Sequence, residues 1–268
     1  MPRFAANLTM LFTDTPFLER FERASRAGFE AVEFLFPYDF EPAEIRARLQ
    51  DNGLDLVLHN LPAGDWAAGD RGIACDPARV PEFREGVTRA IRYAKALNVK
   101  QLNCLCGKVR AGVSTQQAHA TLIDNLRFAA DRLGDEGVKL LIEPINTFDI
   151  PGFYLNRTQQ ALAIIAESGT RNIWLQYDIY HAQRMEGEIA ATLQAHIDRI
   201  AHVQIADNPG RGEPGTGEIN YAFLFRHLDR IGYAGWVGCE YKPTTATTER
   251  SLLWRDCIVP EIENALEA

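Results

Sequence analysis

Short apolar runs recur along the chain, and several of them end on a polar side chain that is costly to bury. Four such runs are Leu140–Glu143, Trp174–Asp178, Ala201–Gln204 and Trp236–Glu240. They follow one another at intervals of roughly 30 residues, the length of one strand–helix–strand step. Each run is typical of a buried parallel strand that has reached its carboxyl end. The pattern therefore predicts a repeated β/α unit with an oxygen-bearing side chain at four successive strand ends.

The first half of the chain continues this alternation. Strands are predicted over residues 4–8, 31–36, 54–59 and 99–105. Between the strands, apolar residues recur at the three- and four-residue spacing of helices, as in the stretches that begin at Pro81 and Thr115 and in residues 158–168. Glycines such as Gly28 follow several of these stretches, where a left-handed helix cap is expected. With a last helix over 252–266, the pattern gives eight strands and about eight helices.

This alternation predicts an α/β protein with a single (β/α)8 barrel. The length of 268 residues is close to the roughly 250 that such barrels typically need. No linker or composition shift divides the chain, so we expect one domain over residues 1–268. The alternative is a doubly wound open sheet. It is less favoured because no G-x-G-x-x-G motif follows the first strand.

Composition and charge narrow the classes of function. The formal net charge of −8 argues against a nucleic-acid partner. No apolar stretch approaches the roughly 20 residues of a membrane-spanning helix, and the first seven residues are not those of a signal peptide. The five cysteines are scattered, which favours reduced thiols and a cytoplasmic location. We expect a small-molecule substrate. The oligomeric state stays open, with a homo-oligomer as one option.

The strand-end residues predict a metal site. In a barrel, the carboxyl ends of the strands converge on one end, so Glu143, Asp178, Gln204 and Glu240 would form a cage of oxygen ligands. Three carboxylates so close together require a cation if all are to stay ionised. Oxygen ligands suit a hard divalent ion, so Mg²⁺ or Mn²⁺ is expected. Alternatively, each acid forms a structural ion pair with an arginine or lysine.

Several other side chains are candidates for binding a substrate near this cage. His181 lies one helical turn after Asp178, and His59 ends the third strand; each is either a substrate contact or an ordinary hydrogen-bonded histidine. His202 is expected to have a core role, whereas Glu33, at the end of the second strand, forms either part of the site or a structural ion pair. Two long loops, 61–81 and 207–218, are expected to cover the site. Arginine or lysine there can hold a carboxylate. The candidates in these loops and just after Glu240 are Trp66, Arg71, Arg211 and Lys242.

The predicted site suits a proton-transfer reaction. Two glutamates on either side of a carbonyl and a hydroxyl group can remove a proton and return it, and a divalent ion stabilises the enediolate between these steps. Glu143 and Glu240 are the candidates for this pair. The reaction class is that of an aldose–ketose isomerase.

Seven motifs also carry a family resemblance that runs nearly from end to end. They lie at residues 4–8, 32–38, 59–66, 143–146, 176–181, 212–220 and 238–243. By these motifs the chain resembles the hydroxypyruvate isomerase family, within the xylose isomerase-like TIM barrels. The resemblance implies interconversion of hydroxypyruvate and 2-hydroxy-3-oxopropanoate (tartronate semialdehyde). It also implies that Glu143 and Glu240 are the proton donor and acceptor.

The resemblance leaves two points open. Related sugar epimerases carry a histidine as the third metal ligand where this chain has Gln204, so the resemblance leaves a metal requirement open. The 2-oxo-tetronate isomerases resemble the chain over the first 40 residues and around Glu240. By contrast, the segments 59–66 and 143–153 resemble those of the hydroxypyruvate isomerases. In those segments Trp66 and Phe148 are candidates for the walls of a small pocket.

More distant alternatives use the same barrel. They are sugar-phosphate and sugar-acid epimerases, endonuclease-like hydrolases of abasic DNA, and a binding protein without activity. The charge of −8 and the absence of a zinc-type set of histidines and aspartates argue against the nuclease. A binding protein has no need of two opposed glutamates.

Overall fold

Eight strands form a closed parallel barrel, in which neighbours follow one another in chain order. The computed structural model describes residues 2–258. The strands are β1 Arg3–Asn7, β2 Ala31–Glu33, β3 Asp55–Asn60, β4 Gln101–Cys104, β5 Lys139–Ile142, β6 Ile173–Asp178, β7 Ile200–Ile205 and β8 Trp236–Cys239. The predicted (β/α)8 barrel is therefore confirmed, and the open sheet is wrong.

Helices connect the strands. Short 3₁₀ segments, Phe17–Glu19 and Pro77–Arg79, precede two of them. Within the described residues the α-helices are α1 Arg20–Arg26, α2 Pro42–Asp51, α3 Val80–Leu97, α4 Thr115–Gly134, α5 Thr158–Ser168, α6 Ile179–Met185, α7 Ile189–His196, α8 Tyr221–Arg230 and α9 Thr248–Ser251. None of these helices is long and apolar enough to cross a membrane.

Helix starts follow their capping residues closely. The Ser114 side chain accepts a hydrogen bond from the Gln117 backbone, and the Gln117 side chain accepts one from the Ser114 backbone, so this capping box begins α4 where it was predicted. A separate short helix, α9, begins at Thr248 ahead of the predicted last helix, because the Thr247 side chain caps it. Residues 254–258 are again helical, and the remainder of the predicted last helix lies outside the described residues.

The strands are shorter than the apolar runs that predicted them. The run 31–36 contributes only β2, which ends at Glu33. Beyond it, the backbone amide of Phe34 still donates to Leu58 (3.3 Å), and that of Asn60 donates to Leu35 (2.8 Å). Backbone pairing therefore continues irregularly past the regular ladder, which periodicity alone does not reveal.

Contacts along the backbone group the chain into two compact units. The first comprises the described residues of 2–33, 48–55 and 178–258, and the second comprises residues 34–47 and 56–177. In the first unit, Phe4 packs edge-on against Phe225 and Trp254, each with ring centroids 5.1 Å away. In the second unit, the Tyr38 and Tyr93 rings lie 5.0 Å apart. The prediction of one domain over residues 1–268 stays a prediction.

Candidate active site

Glu240, directly after β8, lies in the first unit within a buried group of polar side chains. Gln204 on β7 donates its amide Nε2 to Glu240 Oε2 at 2.5 Å. Arg211 donates Nη2 to the other carboxylate oxygen at 2.6 Å. The Arg211 guanidinium also lies over the Tyr180 ring, 5.2 Å from its centroid. Donors from a strand and from a loop therefore fix both oxygens of Glu240.

Burial changes the acidity of this carboxyl group. Removal from water is the main cause that raises the pKa of Glu240 from 4.5 to about 8; nearby Asp178 and Glu33 also raise it, whereas Arg211 opposes the rise. A carboxyl group with a pKa near neutrality can both give and accept a proton at physiological pH. The site therefore equips Glu240 for general acid–base catalysis.

Glu33, at the end of β2, forms a second buried carboxylate behind Glu240. Its Oε2 lies 2.6 Å from His202 Nε2, and its Oε1 accepts from Gln204 Nε2 at 2.7 Å and from Asn7 Nδ2 at 3.0 Å. The contact with His202 is fully buried. The full burial of His202 is what its predicted core role requires, and the two alternatives for Glu33 stay open.

Asp178 ends β6 and caps α6. Its Oδ1 accepts hydrogen bonds from the backbone of Tyr180 (2.8 Å) and His181 (3.4 Å). Its Oδ2 is buried without a hydrogen-bond donor among the described residues, although His181 Nε2 lies 3.5 Å away and Arg211 Nη2 3.6 Å away. Burial raises the pKa of Asp178, against the effect of Arg211. A buried carboxylate oxygen in this state is suited to a cation.

His181 is buried beside Asp178 on the first turn of α6. Burial, followed by the charges of Arg211 and Arg184, lowers the pKa of His181 well below its ordinary value. The imidazole is therefore neutral at physiological pH, which is the form that binds metal ions.

Glu143 follows β5 in the second unit and is also buried. Asn103 on β4 donates Nδ2 to Glu143 Oε2 at 2.9 Å. Sequence reasoning missed Asn103. Its only signal was a polar side chain within the apolar run of the fourth predicted strand, Leu102–Cys104.

Asp178 and His181, both in the first unit, have the ligand types of a metal site. Each offers a buried ligand atom, and His181 Nε2 lies 3.5 Å from Asp178 Oδ2. A carboxylate and a neutral imidazole are ligands for a divalent ion. The unsatisfied Asp178 Oδ2 also fits such an ion. His181 thus joins Asp178 as a candidate metal ligand, and the predicted metal roles of Glu143, Gln204 and Glu240 stay predictions.

Residues of the loop 61–80 pack against one another. The Trp66 side chain is 38% exposed, and its ring lies 5.1 Å from that of Phe36. The Arg71 guanidinium lies 4.1 Å from the centre of the Trp66 ring, and Arg71 also donates to the backbone oxygens of Trp66 (3.1 Å) and Asp70 (2.6 Å). The loop is therefore folded, whereas its predicted position over the site and a role of Trp66 and Arg71 in binding stay predictions.

Two further candidate residues differ in exposure. His59 is fully buried, and its ring centroid lies 6.4 Å from that of Phe34 and 5.9 Å from that of Tyr38. Burial lowers the pKa of His59 to about 4. Lys242 has an exposed side chain, and its backbone amide donates to the Arg211 backbone at 2.7 Å. Substrate contacts of both residues stay predictions.

Comparisons with known proteins identify the family of this chain. The profile of the xylose isomerase-like TIM barrel family matches residues 21–256. A protein from Escherichia coli (strain K12) named hydroxypyruvate isomerase is 60% identical over 96% of this chain and 99% of its own length. A 2-oxo-tetronate isomerase from Cupriavidus necator is 47% identical over 92% of this chain and 95% of its own.

A solved structure is also closely similar. The crystal structure of a protein described as AP endonuclease, family 2, from Brucella melitensis superposes with a TM-score of 0.93 at 44% identity, covering 96% of this chain and 99% of that one. Profile, sequence and structure therefore agree over almost the whole chain. The chain belongs to the hydroxypyruvate isomerase family of the xylose isomerase-like TIM barrels, and it is an isomerase.

Proposed function

We propose that this chain interconverts hydroxypyruvate and 2-hydroxy-3-oxopropanoate. The observation that carries the proposal is the 60% identity, over nearly all of both chains, to the E. coli protein named hydroxypyruvate isomerase. The chemistry of the site supports it, because Glu240 has a pKa of about 8 and is therefore matched to proton transfer near neutral pH.

The reaction moves hydrogen between two adjacent carbons. In hydroxypyruvate, a C–H bond at carbon 3 breaks and a C–H bond at carbon 2 forms, while the hydroxyl proton on the carbon 3 oxygen moves to the carbon 2 oxygen. The hydroxymethyl group becomes an aldehyde and the ketone becomes a secondary alcohol. No external oxidant or reductant is needed, so two groups that exchange protons are sufficient.

Glu240 is the proposed group that returns or accepts one of these protons. Gln204 and Arg211 hold its two oxygens in a fixed orientation. A proton-transfer group that is already oriented loses little entropy when the reaction takes place. Arg211 carries the positive charge nearest to Glu240, so it favours the ionised form after the proton has left.

Glu143 is the proposed partner of Glu240 in proton transfer. Asn103 orients it through a hydrogen bond to Oε2. Glu143, Asp178 and His181 would hold a divalent ion, with Mg²⁺ or Mn²⁺ proposed, and Gln204 and Glu240 are the further proposed ligands. When bound, such an ion acts as a Lewis acid that polarises a carbonyl oxygen.

The substrate carboxylate requires a positive partner. Arg211 is the proposed residue because its side chain remains partly exposed next to Glu240, and Arg71 and Lys242 are further candidates. Trp66 and His59 are proposed to limit the space around a three-carbon acid. The five cysteines are free thiols, and a reducing cytoplasm is the proposed location.

A four-carbon substrate is the second candidate. It is supported by the 47% identity to the C. necator protein named 2-oxo-tetronate isomerase. Cleavage of DNA, which the description of the B. melitensis protein suggests, is less favoured for this chain. Its net charge of −8 opposes binding to a polyanion.

The test is turnover of the purified protein on hydroxypyruvate and on 2-oxo-tetronate in deuterated water, with added Mn²⁺ or with EDTA. Preference for hydroxypyruvate with deuterium at carbon 2 of the product supports the proposal, since exchange with solvent indicates proton transfer. Preference for the four-carbon acid supports the second candidate. Absence of turnover on both acids contradicts isomerisation of either substrate. Product without deuterium contradicts proton transfer through solvent-exchanging glutamates.

A further inference from the structure

Glu33 lies at the centre of a hydrogen-bond network that the proposed chemistry does not itself use. Its carboxylate is 1% exposed and is contacted by Asn7, His202 and Gln204 at 3.0, 2.6 and 2.7 Å. A buried carboxylate is expensive unless several donors meet it. The partners that meet this carboxylate come from two strands, Asn7 from β1 and both His202 and Gln204 from β7.

Space for the Glu33 carboxylate comes from Gly238 on β8. A Cβ atom on Gly238 would meet both carboxylate oxygens of Glu33, and its Cδ at 2.6 Å, closer than real Cβ atoms approach any atom. Gly238 does not have a positive φ, so its backbone accepts any residue. Contact with Glu33 is what requires glycine here.

The amide of Gln204 joins Glu33 to Glu240. Its Nε2 lies 2.7 Å from Glu33 Oε1 and 2.5 Å from Glu240 Oε2. An amide nitrogen carries two hydrogens and can donate one to each carboxylate. The amide oxygen in that place would face two acceptors, and both carboxyl groups would then have to be protonated. The two carboxylates therefore determine which end of the amide points toward them.

We infer that Glu33 is a positioning residue, which orients the Gln204 amide so that its nitrogen donates to Glu240 and its oxygen points away from both carboxylates. The inference rests on the proposed role of Glu240 in proton transfer. Glu33 touches none of the reacting atoms itself and acts through Gln204.

The kinetic test is a double-mutant cycle of Glu33→Gln and Gln204→Met. Glutamine at position 33 has both a donor and an acceptor, so the Gln204 amide can rotate. We expect Glu33→Gln to lower kcat by about 10- to 100-fold, as changes to orienting residues typically do, while KM changes little. In the Gln204→Met background, Glu33→Gln is expected to change kcat by no more than about twofold. If the kcat of the double mutant fell by the product of the two single-mutant losses, the inference would be overturned. Glu33 would then affect kcat independently of Gln204.

A matched control removes a different donor to the same oxygen. Asn7→Ala takes away the Asn7 contact with Glu33 Oε1 and leaves the contact with Gln204. Its kcat loss is expected to stay below about tenfold, the lower end of the usual range. A loss as large as that of Glu33→Gln would contradict the inference, because general disturbance of Glu33 would then be sufficient.

A spectroscopic measurement tests the orientation without relying on any substrate. In protein labelled with ¹⁵N at glutamine side chains, the Gln204 amide is identified by the signals that Gln204→Met removes. Its two protons are expected to exchange slowly with water, since both are hydrogen-bonded and buried. Glu33→Gln is expected to speed this exchange. Unchanged slow exchange would overturn the inference, whether or not the protein acts on hydroxypyruvate.

Gly238→Ala provides a second variant if Glu33→Gln does not fold. The added methyl group forces the Glu33 carboxylate away from Gln204. We expect the same fall in kcat and the same faster exchange of the Gln204 amide. A folded Gly238→Ala protein with wild-type kcat and exchange would overturn the inference.

Discussion

At the scale of single residues, Glu240 combines two properties that rarely occur together at a surface. It has a raised pKa caused mainly by burial, and it keeps two hydrogen-bond donors. A surface carboxylate would be ionised throughout the neutral range and would be a weaker proton donor. Proton transfer is therefore the property most sensitive to this side chain.

Glu240→Gln is predicted to lower kcat by about 10²- to 10⁴-fold, the usual contribution of a general acid or base. Glutamine has nearly the same shape but cannot take up the proton. Circular dichroism checks that the fold persists, and initial rates on hydroxypyruvate measure the effect. Glu249→Gln, at an exposed carboxylate bound to Arg23, is the control and is expected to keep wild-type kcat. Wild-type turnover in Glu240→Gln would remove Glu240 from the mechanism.

His59 is predicted to make the fold sensitive to acid. Its pKa falls from 6.5 in the unfolded chain to about 4 in the fold because it is buried. Between these two pH values, His59 is protonated in the unfolded state and neutral in the folded state. The free energy of unfolding that is present above pH 6.5 is therefore lost as the pH falls toward 4. The loss from this residue between pH 7 and 4.5 is about 2–3 kcal/mol.

Urea unfolding of wild type and His59→Phe at both pH values measures this contribution. Stability of His59→Phe is expected to fall less between pH 7 and 4.5 than that of the wild type, because phenylalanine does not titrate. Other acid-sensitive groups contribute equally to both proteins, so the difference isolates position 59. An equal fall in both proteins would contradict the buried neutral histidine.

Residue positions were more predictable than residue partners. Glu143, Asp178, Gln204 and Glu240 could be placed at strand ends because a polar residue stands out at the end of an apolar run. The bonds from Asn103 to Glu143 and from Gln204 to Glu33 could not be predicted. They join residues 40 and 171 positions apart, and no local pattern records such a distance.

At the scale of elements, the loop 61–80 is fixed by a close approach of two backbone segments. Gly72 and Gly107 both have positive φ values, 106° and 96°. A Cβ atom on Gly72 would collide with the backbone oxygen of Leu105, and one on Gly107 would collide with that of Gly72. The Cys75 backbone amide donates to the Cys106 backbone at 3.0 Å nearby. Glycine is therefore required here for both conformation and space.

Gly72→Ala is predicted to destabilise the fold more than Gly69→Ala. Gly69 has a similar φ of 100° but has no atom within 4 Å of a Cβ position, so it serves as a matched control for backbone strain alone. Gly69→Ala is expected to cost about 1 kcal/mol and Gly72→Ala at least about 3 kcal/mol. Urea denaturation measures both values. Equal losses would show that the close approach contributes nothing beyond strain.

Trp66 is predicted to set the preference for substrate length. Trp66→Ala enlarges the space beside Phe36 and Arg71, so kcat/KM for 2-oxo-tetronate is expected to rise relative to hydroxypyruvate by about tenfold. Phe223→Ala on α8 removes an aromatic ring of similar exposure, 41% against 38%, and is expected to leave the ratio unchanged. If Trp66→Ala leaves the ratio at the wild-type value, the loop does not shape the pocket.

The elements themselves were largely predictable where local chemistry ends them. Helices α4 and α5 begin at the predicted residues; the capping residue Ser114 stands immediately before α4, and extended backbone at Arg157 precedes α5. The stretch after Asp178 was predicted as helical, and α6 begins there because Asp178 accepts from two backbone amides. The bounds of β2 were not predictable, because strand ends depend on the neighbouring strand.

At the scale of the whole molecule, a bound ion is predicted to raise thermal stability. Metal that binds only the folded state stabilises it by about 2.7 kcal/mol at 100 times the Kd, which corresponds to roughly 5–10 °C in Tm for a protein of this size. The experiment adds Mn²⁺ to EDTA-treated protein and follows Tm by calorimetry.

Asp178→Asn is the matched variant for this experiment. Asparagine still caps α6 through its side-chain oxygen, so the helix start is kept. It lacks the charge that a divalent ion prefers, and the rise in Tm is expected to shrink to about 2 °C or less. The same rise in both proteins would show that Mn²⁺ binds elsewhere.

The barrel as a whole was predictable because the same strand–helix pattern recurs eight times along the chain. Eight apolar runs alternate with eight helical stretches, and an error in one bound does not change the count. The family resemblance in residues such as Glu143–Asn146 pointed to the same architecture. The grouping of backbone contacts into two compact units could not be predicted from this repeated pattern. It depends on packing between elements that are distant in the chain.

The contact between Gly238 and Glu33 also restricts the order in which this sequence can change over generations. A side chain at position 238 is harmful while glutamate occupies position 33, yet it becomes tolerable once position 33 carries a small residue. The two positions are therefore epistatic. In a library that mutates the barrel interior, alanine or serine at position 238 is expected among the survivors only in clones that have already lost Glu33.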